Sequence, residues 1–221
     1  MPRPLGDAVG EHLELAQYYA DFEQHFACAR EFWKLERGQA FAEPGNPSWE
    51  AFNRGDWAAS MRLVESLRED LKEYHREAEA AGTSTYRIRV VSLPLTPYLQ
   101  WELHVLRLRD ETGGPIRVLL DSDVAGLEDQ GPLPDIYTMD RDVLYRAIYD
   151  ENGVLAYALR YTDQALVSRC RDFVAALYAR GEPISDFFAR EVASLPPPRP
   201  VEPALPKAYL ARTGRPQPIR S

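Results

Sequence analysis

The sequence predicts an α/β protein of the α+β kind, with a mixed β-sheet and helices packed on it. Three observations carry that prediction. Apolar residues recur every three to four positions before Gly82, then alternate in Tyr86-Arg87-Ile88-Arg89-Val90-Val91. A Thr96-Pro97 entry and a Gly113-Gly114 turn bracket a segment between two strand-like runs, a β–α–β pattern. Asp150-Glu151-Asn152-Gly153 carries an Asn-Gly pair of the kind that closes a tight hairpin. Helices, then β–α–β, then a meander, then a helix is the order of a mixed sheet with helices on it.

The elements follow in order. Residues 1–10 read as a flexible leader, and 11–195 as a single domain with a helical part (11–81) and a mixed-sheet part (82–195). From Glu11, the residues Leu13, Tyr18, Phe22, Phe26, Phe32, Trp33 and Leu35 predict long N-terminal helices with a bend near Ala27–Ala29. Their aromatic face suits a core. Asn46 can cap a helix whose first residue is Pro47, and Asp56 caps the next, expected as one long helix over 57–80 that Gly82 ends. The segment 97–109 alternates like a strand, but its Thr-Pro entry and length favour a helix. Strands are expected at 86–92, 116–120, 136–139, 143–149 and 154–161. The segment 121–134 reads as a polar loop with one helical turn. Asp163 caps a helix over 164–180, and a short helix follows from Ile184 to Leu195. Residues 196–221 hold eight of the 18 prolines and read as a disordered, basic, proline-rich tail.

Composition narrows the function classes. The 221 residues carry 26 basic and 34 acidic side chains, a net charge of −8. Arg199, Lys207, Arg212, Arg215 and Arg220 against Glu202 alone leave the tail at +4, so the rest stands at −12. An acidic body opposes a broad nucleic-acid surface, which needs a basic footprint. No apolar run is long enough for a membrane span and no signal-peptide core opens the chain, so a cytoplasmic location is expected. Cys28 and Cys170 make no CxxC and read as two reduced, buried thiols. His12, His25, His75 and His104 are scattered, so no metal site is expected, and no phosphate-loop or dinucleotide signature implies a cofactor.

One cluster carries chemistry. Arg87 and Arg89 share a strand face, and Tyr98, Gln100, Trp101, Glu102 and His104 follow closely. Glu102 falls within an apolar helical face and needs a partner, which either arginine can supply. Two readings stand side by side. One is a buried Arg–Glu pair tying helix to sheet. The other is a pocket for a small anionic ligand, with arginines as bidentate donors and Tyr98 or Trp101 as a stacking wall.

Three stretches resemble a family of small proteins common in actinobacteria, a domain of unknown function: Phe32-Trp33-Lys34-Leu35-Glu36, Arg87–Val91 with Pro94–Leu103, and Leu144–Gly153. The resemblance spans roughly residues 25–195. Members accompany helix-turn-helix regulators, which implies a regulatory or accessory role. The last third also looks like the C-terminal part of phospholipase-D-like domains. That family's H-x-K-x-x-x-x-D motif is missing, because His104 is followed by Val105 and Leu106. The departure implies binding rather than phosphodiester cleavage.

The expectation is a non-catalytic cytosolic regulatory or accessory protein that binds a small anionic ligand or a protein partner such as a transcriptional regulator. The alternatives are an enzyme using Glu102 and His104 as acid and base, or a structural subunit of a homodimer or larger homo-oligomer held by the aromatic helices.

Overall fold

The computed structural model describes residues 4–198. Its framework is one eight-stranded mixed sheet with the order β1-β7-β6-β5-β2-β3-β4-β8. The strands are β1 (Glu11–Glu14), β2 (Glu31–Glu36), β3 (Ser84–Val91), β4 (Ile116–Leu120), β5 (Ile136–Met139), β6 (Val143–Tyr149), β7 (Leu155–Tyr161) and β8 (Glu182–Pro183). Strands β2, β3 and β4 run parallel, and the remaining pairings are antiparallel. The predicted β–α–β unit is present, with α5 (Pro97–Glu111) as its crossover helix. Thr96 caps α5 by accepting from the Leu99 amide, and Pro97 sits in the first turn, where no amide is needed. The Asn152-Gly153 hairpin joins β6 to β7, with Gly153 at φ +76°.

The N-terminal third differs most from expectation. The predicted long helices over 11–35 are instead β1, a single helix α1 (Leu15–Phe26), and β2. Strand β2 lies in the middle of the sheet between β3 and β5, and its residues from Phe32 to Glu36 are all buried, on both faces. A strand buried on both faces loses its alternation and reads as a nearly continuous apolar run. In Phe32-Trp33-Lys34-Leu35, that run imitates a helical face. Strand β1 has only four residues, and Leu13 alone is buried, too short a span to show a period. The helical part assigned to 11–81 therefore contains two of the eight strands.

The other differences are local. The expected helix over 57–80 is two, α3 (Trp57–Ser66) and α4 (Arg68–Ala81), broken at Leu67. There the Ser66 hydroxyl bonds back to the Leu63 carbonyl, a local bond that competes with the helix ladder. The leader is not free along its length: Leu5 is buried in the core, and the Cys170 thiol donates to the Pro4 carbonyl. Cys170 is buried as expected, but Cys28 is exposed. Of the tail, 199–221 lies outside the described residues, while the Pro196 carbonyl is held by the Gln100 side chain at 2.7 Å. The remaining helices, α2 (Pro47–Asn53), α6 (Asp121–Val124, with a 3-10 turn at 125–127), α7 (Gln164–Arg180) and α8 (Ile184–Glu191), fall close to where the sequence puts them.

The two faces of the central strands divide the molecule. Trp33 and Leu35 of β2, with Ile88 and Val90 of β3, point to α7 and form the main apolar core with Val167, Cys170 and Val174. The residues between them, Phe32, Lys34 and Glu36 on β2 and Arg87 and Arg89 on β3, point to the opposite face, as strand pleating requires. Helices α1 and α5 cover that face. Among the described residues, no helix is long and apolar enough to cross a membrane.

Candidate functional site

The opposite face of the sheet carries charge where a core would ordinarily be apolar. Parallel register sets Lys34 beside Arg87 and Glu36 beside Arg89, and β5 places Tyr137 on the other side of Lys34. Lys34 Nζ lies 2.8 Å from Glu36 Oε1, and Arg87 Nη1 lies 3.5 Å from Glu36 Oε2. Burial alone would raise the Glu36 pKa, but Lys34, Arg87 and Arg89 together outweigh it and hold the carboxyl well below the usual range. Glu36 is thus an anion shared among three cations.

Arg89 is fully buried. Its Nε donates to Glu102 Oε2 at 2.8 Å, and its Nη1 donates to the Glu36 and Val90 carbonyls at 3.2 Å each. Glu102 reaches it from α5. Burial pushes Glu102 up to about 7. Arg89 opposes that push, and the carboxylates of Glu36 and Glu43 reinforce it. The Tyr98 hydroxyl, one turn earlier on α5, lies 2.7 Å from Glu43 Oε1 and 3.2 Å from Glu102 Oε1. Having one proton, it donates to the nearer Glu43.

Between this charged floor and the helices lies a cleft of about 620 Å³. That is the size range of small-molecule sites. Lys34, Arg87 and Arg109 line it as cations. Arg109 sits two turns beyond Glu102 on α5. Burial, with Arg87 nearby, lowers its pKa to about 10, so it stays charged at neutral pH. The opposing wall is aromatic, with Phe22 and Phe26 from α1 and Tyr74 from α4. Arg87 is distinctive. Its side chain is only 11% exposed, its nearest carboxylate oxygen is the Glu36 contact at 3.5 Å, and its guanidinium makes no hydrogen bond among the described residues.

The sequence-predicted residues divide accordingly. Arg87, Tyr98, Trp101 and Glu102 line the cleft, and Arg89 lies behind them as the partner of Glu102. The two arginines part here: Arg89 makes the buried tie to Glu102, and Arg87 lines the cleft. Gln100 and His104 are not among the lining residues. Gln100 holds Pro196, and His104 packs its ring against Trp57 and Phe188. Positions 102 and 104 are about 200° apart around a helix, so Glu102 and His104 do not meet as an acid–base pair. Sequence reasoning missed Lys34, Glu36, Glu43 and Arg109. Two signals mark three of them, charged residues two apart inside an apolar run at 34 and 36 and the helical spacing 98, 102, 105, 109, and no local pattern marks Glu43. Among the described residues, no cluster of three His, Cys, Asp or Glu side chains has the geometry to hold a metal ion.

His104 yields a pH prediction. Burial, then Arg107, lowers its pKa from 6.5 to about 4. The folded state therefore binds fewer protons than the unfolded state between those values. This contribution to stability is complete above pH 6.5 and is lost as pH falls toward 4. The urea midpoint of the native protein is expected to drop more steeply over that window than that of His104→Phe. Parallel slopes would contradict the assignment.

Fold and site together define an α/β protein with a charged, aromatic-walled cleft on one face of a mixed sheet. The chain belongs to the family of DUF6879, a domain of unknown function, whose model matches residues 20–189. That span runs from within α1 to within α8 and takes in all the cleft-lining residues except Tyr18 and Tyr19 at its edge. No curated protein matches the chain.

Proposed function

We propose that this protein is a non-catalytic regulatory or accessory protein of the cytoplasm that binds a small anionic ligand in the cleft between its sheet and helices α1, α4 and α5. The observation that carries the reading is Arg87, a nearly buried guanidinium with its donors unspent, facing a ligand-sized space beside Lys34 and Arg109. A buried cation without hydrogen bonds is costly, and an anion in bidentate contact removes that cost. The regulatory role draws on the resemblance to actinobacterial proteins that accompany helix-turn-helix regulators. The resemblance of the last third to phospholipase-D-like domains without their catalytic motif fits binding rather than turnover. A protein partner engaged through the tail is compatible with this reading, but 199–221 lies outside the described residues.

Native mass spectrometry on the full chain, gently purified from its own host, tests the proposal. The expected result is a retained small-molecule mass that disappears in Arg87→Ala. A bare chain in both proteins, unchanged by added sulfate or organic acids, would overturn it.

A further inference from the structure

We infer that the ligand is an aromatic acid: a planar aryl body carrying a carboxylate, sulfate or phosphate group. This rests on the anion-binding reading of the cleft and narrows it. Lys34 and Arg87 flank Glu36 on the sheet, and Arg109 reaches the same cleft from α5, close enough to Arg87 and Glu36 to feel both charges, so the three cations gather around Glu36; Glu23, Glu43 and Glu102 also line the cleft. A ligand must place its anionic group there and extend the rest of itself along what remains.

What remains is chiefly ring surface. Phe22 and Phe26 lie with centroids 5.8 Å apart and planes within 10°, and Phe26 and Tyr74 with centroids 6.2 Å apart and planes within 11°. All three rings are only half-buried and line the cleft. Three rings in near-parallel planes offer a flat body the same offset or edge contact at each. Such contacts add to what area burial alone provides, and a flexible alkyl chain cannot make them. An alkyl chain would also lose rotamer freedom on entering, which a fused ring does not. The Tyr19 hydroxyl, on α1 one turn before Phe22, is buried with no hydrogen-bond partner among the described residues. It marks a place for a polar substituent on the aryl body.

Four probes separate the possibilities by calorimetric titration of the full chain: 2-naphthoate, the uncharged 2-naphthamide, the aliphatic acid decanoate, and sodium sulfate. The expected order has 2-naphthoate at least 10-fold tighter than each of the others. Phe22→Leu, which keeps the wall apolar but removes a ring, is expected to weaken 2-naphthoate several-fold and leave decanoate unchanged. If decanoate or sulfate binds as tightly as 2-naphthoate, the aromatic assignment is wrong while the anion site stands. If 2-naphthamide equals 2-naphthoate, or if none of the four binds, the anion site fails as well.

Discussion

Glu102→Ala is expected to lower folding stability by about 3–5 kcal/mol, the size of effect seen when one member of a buried ion pair is removed. The reason is Arg89. Its side chain has no exposure to solvent, and among the described residues its Nη2 already lacks a partner. Among the described residues, Glu102 supplies the one carboxylate bonded to it, at 2.8 Å. Without that carboxylate the guanidinium stays charged and buried, with only two backbone carbonyls at 3.2 Å to receive it. A surface pair sets the contrast. Arg76 and Glu73 form an ion pair one turn apart on α4, with side chains 70% and 54% exposed, and Arg76→Ala is expected to change stability by less than about 0.5 kcal/mol. Urea denaturation of both variants checks the difference. Equal, small effects would mean that Arg89 is not held as described.

Arg87→Ala is expected to do the reverse. Stability should change by less than about 1 kcal/mol, because Glu36 keeps Lys34 at 2.8 Å and the Glu102–Arg89 tie is untouched. Ligand affinity should fall by roughly 10- to 150-fold, corresponding to about 1.5–3 kcal/mol for hydrogen bonds to a charged group. The separation matters because the two arginines are alike in sequence. They lie two residues apart on one strand face, but one is spent on the fold and the other is not. Paired titration and denaturation of the two variants reads both quantities. An Arg87→Ala protein that binds normally would remove Arg87 from the site.

Much of the fold is legible in the sequence where local chemistry decides it. Asn46 with Pro47, Asp56, Thr96 with Pro97, and Asp163 all cap the helices they were expected to cap, and Gly82 and Gly153 take the positive φ their turns require. What is not legible depends on tertiary position. Phe32–Glu36 is a strand because neighbours lie on both sides of it, and nothing within five residues reveals that. The site shows the same division. Arg87, Arg89 and Glu102 stand out because charge interrupts local apolar patterns. Lys34 and Glu36 interrupt one too, but the alternation that would place them on the Arg87 face appears only when the segment is read as a strand. The aromatic residues of α1 look like core from sequence alone. Phe32 does join Tyr18 in a core cluster, while Phe22 and Phe26 pack against that cluster and still face the cleft.

An anion held on Arg87 would change the environment of its guanidinium. The most direct test follows the arginine side-chain Nε–H resonances of ¹⁵N-labelled full-length protein while 2-naphthoate, and separately sulfate, is added. The Arg87 resonance is expected to shift and sharpen against exchange, while that of Arg89, already bonded to Glu102, moves little. Shifts confined to surface arginines such as Arg76 and Arg190, with Arg87 unchanged by either compound, would contradict an anion site on Arg87.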